Sequence, residues 1–133
     1  MKKYISQKLI GKGGFGKVYK IKDEYNKEYA LKKINIKTPY YKENSNIITE
    51  LQILRYHKCN YLIKYHSCHL EINKLCIITD FYEKGDLFYL IQDMKKKGDN
   101  FDENIIWKIF LDICLGVEYL HDNNIIHNLF ISK

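Results

Sequence analysis

Six residues near the amino terminus constrain the chain most strongly. The segment Gly11-Lys12-Gly13-Gly14-Phe15-Gly16 contains four of the seven glycines and has the spacing G-x-G-x-x-G. Glycines let backbone N–H groups approach phosphate oxygens at positions where a Cβ would clash. The pattern therefore indicates either a phosphate-binding turn or an ordinary tight turn.

The residues after the glycines decide between two kinds of nucleotide site. A dinucleotide-binding turn leads directly into a helix whose N-terminus faces the pyrophosphate. Here residues 18–22 alternate between apolar and polar, residues 23–27 are polar, and residues 28–36 form a second apolar-rich run. This order predicts an antiparallel hairpin and argues against a dinucleotide-binding fold.

The second strand of this hairpin carries a candidate phosphate ligand. In Tyr29-Ala30-Leu31-Lys32, alternation places Ala30 and Lys32 on one face. A small residue leaves room for a flat base, and a lysine ammonium can reach phosphate oxygens. The adjacent Lys33 leaves the register open, since an ordinary half-buried strand with a solvent-facing lysine has the same pattern.

The remaining pattern predicts an α+β fold in which the helices gather at one end. We expect a helix over residues 42–56, strands over 61–68 and 74–79, and helices over 86–94 and 103–121. Residues 95–99 are expected to form a solvated loop, and Trp107 and Cys114 are expected to pack. The last helix has an apolar stripe of Ile106, Ile109, Phe110, Ile113, Val117 and Leu120.

Composition excludes several classes of protein. The 22 basic and 16 acidic residues give a charge of +6, but Arg55 is the only arginine, which disfavours a nucleic-acid reader. We expect no membrane span and no secretory leader, because no long apolar run occurs. The four cysteines lack framework spacing, which favours a reducing compartment. The spacing within His57, Cys59, His66, Cys68 and His69 does not match a zinc motif, so we predict no metal site.

Two motifs together resemble the protein kinase family. Gly11, Gly13, Gly16 and Val18 match its G-x-G-x-x-G-x-V turn, and the segment from Tyr29 to Lys32 matches its V-A-I-K strand. The later G-D-L element at residues 85–87 is most similar to the NIMA-related serine/threonine kinases. The resemblance implies a small lobe built from an antiparallel sheet and one large helix, and the first helices of a large lobe. It also implies ATP with Mg²⁺ and a protein substrate.

The resemblance assigns roles to individual residues. Glu50 would pair with Lys32, with Glu43 as the alternative partner, and Gly14 would join the other glycines around the phosphates. Around the nucleotide, Val18 and Ala30 would line the base, and Thr79 would be the gatekeeper. The backbone of Asp80 and Tyr82 would contact the adenine edge, and Asp86 would approach the ribose or a basic substrate side chain.

The sequence departs from the family after His127. The family pattern in this region is H-R-D-L-x-x-x-N. In one alignment, Asn128 and Leu129 stand at the positions of its Arg and Asp. In the other, six residues are missing after His127, and Asn128 is the Asn that binds Mg²⁺ in the family. No D-F-G precedes Lys133. We therefore expect the chain to be inactive alone.

The departure leaves three explanations open, namely a gene-model error, a degenerate fragment, or a truncated pseudokinase that binds nucleotide or acts as a scaffold. The resemblance makes residues 1–133 a partial kinase domain, with 1–82 as small lobe and hinge and 83–133 as the start of the large lobe. An uncovered apolar face on the last helix would favour self-association. We expect a cytoplasmic location, with the nucleus as the alternative.

Overall fold

The computed structural model of the chain describes residues 4–13, 16–36 and 45–126. These residues form an α+β arrangement, as predicted, with an antiparallel sheet followed by helices. The elements are β1 (Tyr4–Gly13), β2 (Gly16–Asp23), β3 (Glu28–Asn35), α1 (Ser45–Tyr56), β4 (Tyr65–Glu71), β5 (Lys74–Asp80), α2 (Leu87–Lys97) and α3 (Glu103–Asp122).

The chain divides into two units. The described residues of Met1–Lys58 and Ile63–Glu83 form the first, which holds the sheet and α1. Those of Cys59–Leu62 and Lys84–Lys133 form the second, which holds α2 and α3.

The five strands are antiparallel and lie in the order β1-β2-β3-β5-β4. Two tight turns set this order. Asn26 (φ 62°) lies in the turn between β2 and β3, and Asn73 (φ 56°) lies between β4 and β5. Asparagine tolerates positive φ better than most residues, which suits it to short hairpins. In the first turn the Asp23 carboxylate also accepts hydrogen bonds from the backbone N–H groups of Tyr25 (3.0 Å) and Lys27 (2.9 Å).

Strand alternation gives the sheet an apolar core on each face. One core contains the buried side chains of Ile21, Tyr29, Leu31, Cys76 and Ile78. The other contains Ile34, Leu75 and Ile77, against which α1 packs Ile47, Leu51 and Leu54. The helix is therefore fixed on the face of β3 that carries even-numbered residues.

Strand β4 differs from its predicted bounds of residues 61–68. Strand β4 begins at Tyr65 and not at residue 61, because the Leu62 N–H bonds to the Cys59 carbonyl (3.1 Å) and turns the chain. Strand β1 continues into the glycines, since Gly13 pairs with Gly16 across the hairpin. The start expected for α1 at residue 42 lies outside the described residues.

Helix α2 is longer than predicted. It continues through Lys97 and ends at Gly98, whose φ of 71° caps it. The loop predicted over residues 95–99 was wrong for its three lysines, which form the last helical turn. Their positive charges favour that place because the helix macrodipole is negative there.

Helix α3 follows the predicted bounds to within one residue, but its side chains are more exposed than expected. Its buried residues are Gly116 and Leu120, near its C-terminus. At Gly116, Tyr61 lies 3.3 Å from the place that a Cβ would occupy. The expectation that Cys114 and Trp107 pack was wrong, because Cys114 is exposed and Trp107 is 55% exposed. Of the helices that the structure describes, none has the length and apolarity to cross a bilayer.

Candidate nucleotide-binding site

The glycine turn leaves space beside its backbone. Gly11 pairs with Val18 across the β1–β2 hairpin, and a Cβ built on Gly11 would lie 3.8 Å from the Val18 Cβ. Among the residues that the structure describes, no atom lies within 4 Å of a Cβ built on Gly13. The backbone at Gly13 is therefore open to a ligand. Gly14, which the sequence also assigned to phosphate binding, lies outside the described residues.

Gly16 is required for a different reason. It has a φ of 142°, and a Cβ on it would lie 2.1 Å from the carbonyl oxygen of Lys33. Side chains other than hydrogen cannot occupy that space without moving the backbone of β3. Gly16 thus permits close packing of β2 against β3. The sequence motif, which assigned this glycine to phosphate binding, did not predict that role.

The predicted ion pair is present. The Lys32 Nζ lies 2.6 Å from Glu50 Oε1, which joins β3 to α1. The Lys32 side chain is 32% exposed and that of Glu50 is 44% exposed, so solvent and ligands can reach the pair. Glu43, the alternative partner, lies outside the described residues.

The register question is also resolved. Lys33 lies on the opposite face of β3, where its Nζ contacts Glu71 Oε2 at 2.9 Å. Each of the two consecutive lysines is therefore committed to its own carboxylate, Lys32 on the α1 face and Lys33 on the other.

Small and polar residues continue the Lys32 face. Val18 is the cross-strand neighbour of Lys32, and Ala30 is that of Thr79 on β5. Thr79 is 8% exposed, and its hydroxyl donates to the Asp80 carbonyl at 3.3 Å. The structure thus brings together on one sheet face the four residues that were predicted to line the nucleotide: Val18, Ala30, Lys32 and Thr79.

At the end of β5, the two backbone groups of Asp80 differ in availability. Its N–H donates to the Lys64 carbonyl at 3.0 Å. Its carbonyl accepts a longer bond from the Thr79 hydroxyl at 3.3 Å, and a carbonyl oxygen has two lone pairs. Asp80 can therefore offer an acceptor, but no donor, to an adenine edge. Tyr82 follows it in an exposed segment, with 57% of its surface accessible.

Asp86 has a structural role in the second unit. It is the N-cap residue of α2, and its Oδ1 accepts a hydrogen bond from the Tyr89 N–H at 2.9 Å. An aspartate at this position satisfies a free backbone donor and is favourable at the positive end of the helix. Its predicted contact with ribose or substrate stays a prediction.

A second cluster of polar groups lies on the Lys33 face. His69, Glu71 and Cys76 bring donor atoms within 4.8 Å of one another, a group that includes only His69 of the five residues considered for zinc. However, the Lys33 ammonium already neutralises Glu71 and holds the pKa of its carboxyl below the ordinary value. Burial raises the pKa of the Cys76 thiol to about 11, which keeps it protonated. These contacts favour a hydrogen-bonded cluster over a cation site.

Sequence reasoning missed one residue of this region. His66 lies at a register irregularity of β4, and its Nε2 is 2.6 Å from Asp80 Oδ1. The alternation of residues 61–68 carries no signal for a bulge, because a bulge depends on the pairing strand and not on local pattern.

Comparisons with known proteins agree with this geometry. The protein kinase domain family model matches residues 4–128. The chain is 33% identical over 136 residues to serine/threonine-protein kinase Nek11 of Macaca fascicularis, covering 99% of this chain and 21% of that protein. It is 34% identical over 140 residues to serine/threonine-protein kinase Nek1 of Mus musculus, covering 100% and 12% respectively.

The chain thus spans about a fifth or less of the length of these relatives. The similarity to Nek kinases agrees with the NIMA-related resemblance of the G-D-L element. Because the family model covers nearly the whole chain and Lys32 meets Glu50 as that family requires, the chain belongs to the protein kinase domain family.

Proposed function

We propose that this chain binds ATP through the glycine turn and Lys32, as part of a serine/threonine protein kinase domain. The observation that carries the proposal is the 2.6 Å contact between Lys32 Nζ and Glu50 Oε1. In kinases this pair must be formed before the lysine can contact the phosphates.

The described residues fit the parts of a nucleotide. The space beside the Gly13 backbone can admit phosphate oxygens, and Lys32 provides a partly exposed ammonium. Ala30 and Thr79 leave a small-residue surface, and the Asp80 carbonyl provides an acceptor for an amino group of the base. Glu50 orients the lysine, since an unpaired ammonium would sample several rotamers.

Phosphoryl transfer is a separate question from binding. When bound, Mg²⁺ neutralises phosphate charge and an aspartate orients the attacking hydroxyl. Asn128 lies outside the described residues, and neither alignment of the sequence after His127 supplies the aspartate. Without a gap, Leu129 stands at the aspartate position; with six residues missing before Asn128, the aspartate is among the missing residues. We propose that the chain binds nucleotide but transfers phosphate poorly. A nucleotide-binding pseudokinase is therefore the second candidate, supported by the missing aspartate.

Two assays test these statements. Mg-ATP is expected to raise the melting temperature of the purified chain, and the Lys32→Ala variant is expected to lose that shift. In a radiolabelled phosphate-transfer assay with a generic protein substrate, we expect no transfer above background. Transfer that Lys32→Met abolishes would contradict the proposed inactivity, and an unshifted wild-type melting temperature would contradict ATP binding.

We also propose that α3 mediates self-association. Ile106 is 52% exposed, Phe110 is 54% exposed and Ile113 is 44% exposed, and these residues lie on one stripe of the helix. Exposed apolar stripes of this kind favour association because burial removes them from water. Light scattering is expected to give a mass above that of the monomer, which Phe110→Glu should reduce. A wild-type monomer would contradict this proposal.

For location, we propose the cytoplasm or nucleus. The four cysteines are free thiols, one buried, two partly buried and one exposed, which suits a reducing compartment. Fractionation of cells that express the chain tests the location, and recovery in a secreted fraction would contradict it.

A further inference from the structure

A bulge in β4 places one histidine beside the proposed base-contacting strand. Tyr65 pairs with Thr79 and Ser67 pairs with Ile78, so that His66 is an extra residue between two consecutive partners. Bulges interrupt the alternation of a strand and redirect the extra side chain. Here the redirected side chain reaches Asp80, at the last position of β5.

The His66 ring is held on two sides. Its Nε2 lies 2.6 Å from Asp80 Oδ1, and its ring meets the Tyr29 ring edge-on, with centroids 4.9 Å apart and planes at 87°. Tyr29 is 3% exposed and its hydroxyl donates to Asp23 at 3.1 Å. A ring held between a buried aromatic and a carboxylate has little rotamer freedom, so the contact fixes the Asp80 side chain.

The Cα of Asp80 is consequently restrained through two of its substituents. Its N–H is bonded to the Lys64 carbonyl at 3.0 Å, and its carboxylate is held by His66. The carbonyl on the same Cα accepts a 3.3 Å hydrogen bond from the Thr79 hydroxyl. The first two contacts hold the Cα from which the carbonyl projects, and the Thr79 bond acts on the carbonyl oxygen itself, so the three contacts together restrict where that oxygen points.

We propose that His66 is a positioning residue that aims the Asp80 carbonyl at the adenine base. This inference rests on the proposed function, since it concerns how ATP is recognised. His66 itself does not contact the nucleotide, and it acts through the Asp80 carboxylate. Loss of the contact should weaken binding of the base and leave binding of the phosphates unchanged, because the phosphate ligands lie on β1–β2 and at Lys32.

Separate titrations with adenosine, ATP and inorganic tripolyphosphate test the assignment. For His66→Leu, which keeps an apolar contact with Tyr29, we expect about a three- to tenfold loss of affinity for adenosine and the same factor for ATP. Tripolyphosphate affinity should not change. His66→Gln keeps a donor and should recover most of the loss. Lys32→Met should show the reverse pattern, with adenosine affinity retained and tripolyphosphate affinity lost.

The matched control is His69→Leu. His69 lies on the same strand, but its Nε2 contacts Glu71 at 3.6 Å and not Asp80, so all three affinities should remain unchanged. If His66→Leu does not fold, as judged by its melting transition, Asp80→Ala removes the other partner of the contact and should give the same selective loss.

The outcomes separate this inference from the function beneath it. Wild-type binding of ATP together with unchanged adenosine affinity in folded His66→Leu or Asp80→Ala would overturn the positioning role and leave ATP binding standing. Equal losses for adenosine and tripolyphosphate would overturn it too, since they would indicate a general structural effect. If the wild type does not bind ATP, both the proposed ATP binding and the positioning role of His66 are wrong.

Discussion

Replacement of Gly16 by alanine tests whether this glycine is required by the packing of the hairpin. The added Cβ would lie 2.1 Å from the Lys33 carbonyl oxygen and 3.2 Å from the Ile34 Cα. Both contacts are with backbone, so no side chain can rotate away. The strand β2 would have to separate from β3 by about 1 Å to restore a normal contact distance.

Two costs add in this variant. A φ of 142° is adopted almost only by glycine, and an alanine held there costs about 1–3 kcal/mol. Overpacking by one methyl group against fixed backbone costs about another 1–3 kcal/mol. We therefore expect Gly16→Ala to lower the free energy of unfolding by about 3 kcal/mol, a large part of the stability of a typical domain. The melting temperature should fall by about 10 °C.

Gly13→Ala is the matched control. Within the part of the chain that the structure describes, a Cβ at Gly13 meets no atom within 4 Å, so its stability should change by less than about 1 kcal/mol. Thermal and urea denaturation followed by circular dichroism measure both variants. Equal stability of Gly16→Ala and wild type would refute the packing argument. A loss of ATP affinity in the fully folded Gly13→Ala variant is expected as well, since the methyl group would occupy the space for phosphate.

Three further predictions concern a carboxylate, the cysteines and the core. The Lys33 ammonium holds the pKa of the Glu71 carboxyl below 4.5, so the stabilisation by this pair is complete above pH 4.5 and is lost as the pH falls through the lowered pKa. Glu71→Gln lacks this pair, and its stability should therefore fall less steeply in acid than that of the wild type. Because burial raises the pKa of the Cys76 thiol to about 11, about one Cys76 thiol in 10,000 is ionised at neutral pH. When mass spectrometry follows the reaction with iodoacetamide, the exposed Cys114 should therefore be modified first, and Cys76 only in denaturant. Ile78 is 1% exposed, so Ile78→Ala should lower the free energy of unfolding, measured by urea denaturation, by about 2–4 kcal/mol.

Control variants and contradicting outcomes can be named for these three predictions. Glu118→Gln removes a charge from an exposed position and should leave the acid dependence as in wild type; an equally shallow curve would count against the Glu71 pair. Rapid modification of Cys76 in the native protein would contradict its protection. Ile72 is 91% exposed, so Ile72→Ala should change the free energy of unfolding by less than about 0.5 kcal/mol. Equal losses of stability in Ile78→Ala and Ile72→Ala would refute the assignment of Ile78 to the core.

The features that the sequence predicted well are those encoded by local pattern. Alternation over residues 18–22 and 28–36, with a polar turn between them, was enough to predict a hairpin, and this excluded the helix that a dinucleotide fold requires. Ala30 and Lys32 were placed on one face because strand alternation leaves no other choice. The partner of Lys32 needed the family resemblance, since no local rule brings together residues 18 positions apart.

The features that the sequence did not predict depend on pairing across the sheet or on long-range packing. Only the β4–β5 register shows that His66 is an extra residue that reaches Asp80. Gly16 was assigned to phosphate, but its need for glycine comes from the Lys33 backbone, which is distant in sequence. Cys114 was expected to be buried because it lies near an apolar stripe, yet a stripe predicts burial only where another element covers it.

Calorimetric titration of Mg-ATP into the wild type, Lys32→Met, Glu50→Gln and the double variant tests the central claim most directly. If the lysine held by Glu50 contacts the phosphates, the wild type binds, each single variant binds more weakly, and the double variant is no weaker than Lys32→Met, because Glu50 acts only through the lysine. Wild-type affinity retained in Lys32→Met, or additive losses in the double variant, would contradict the account.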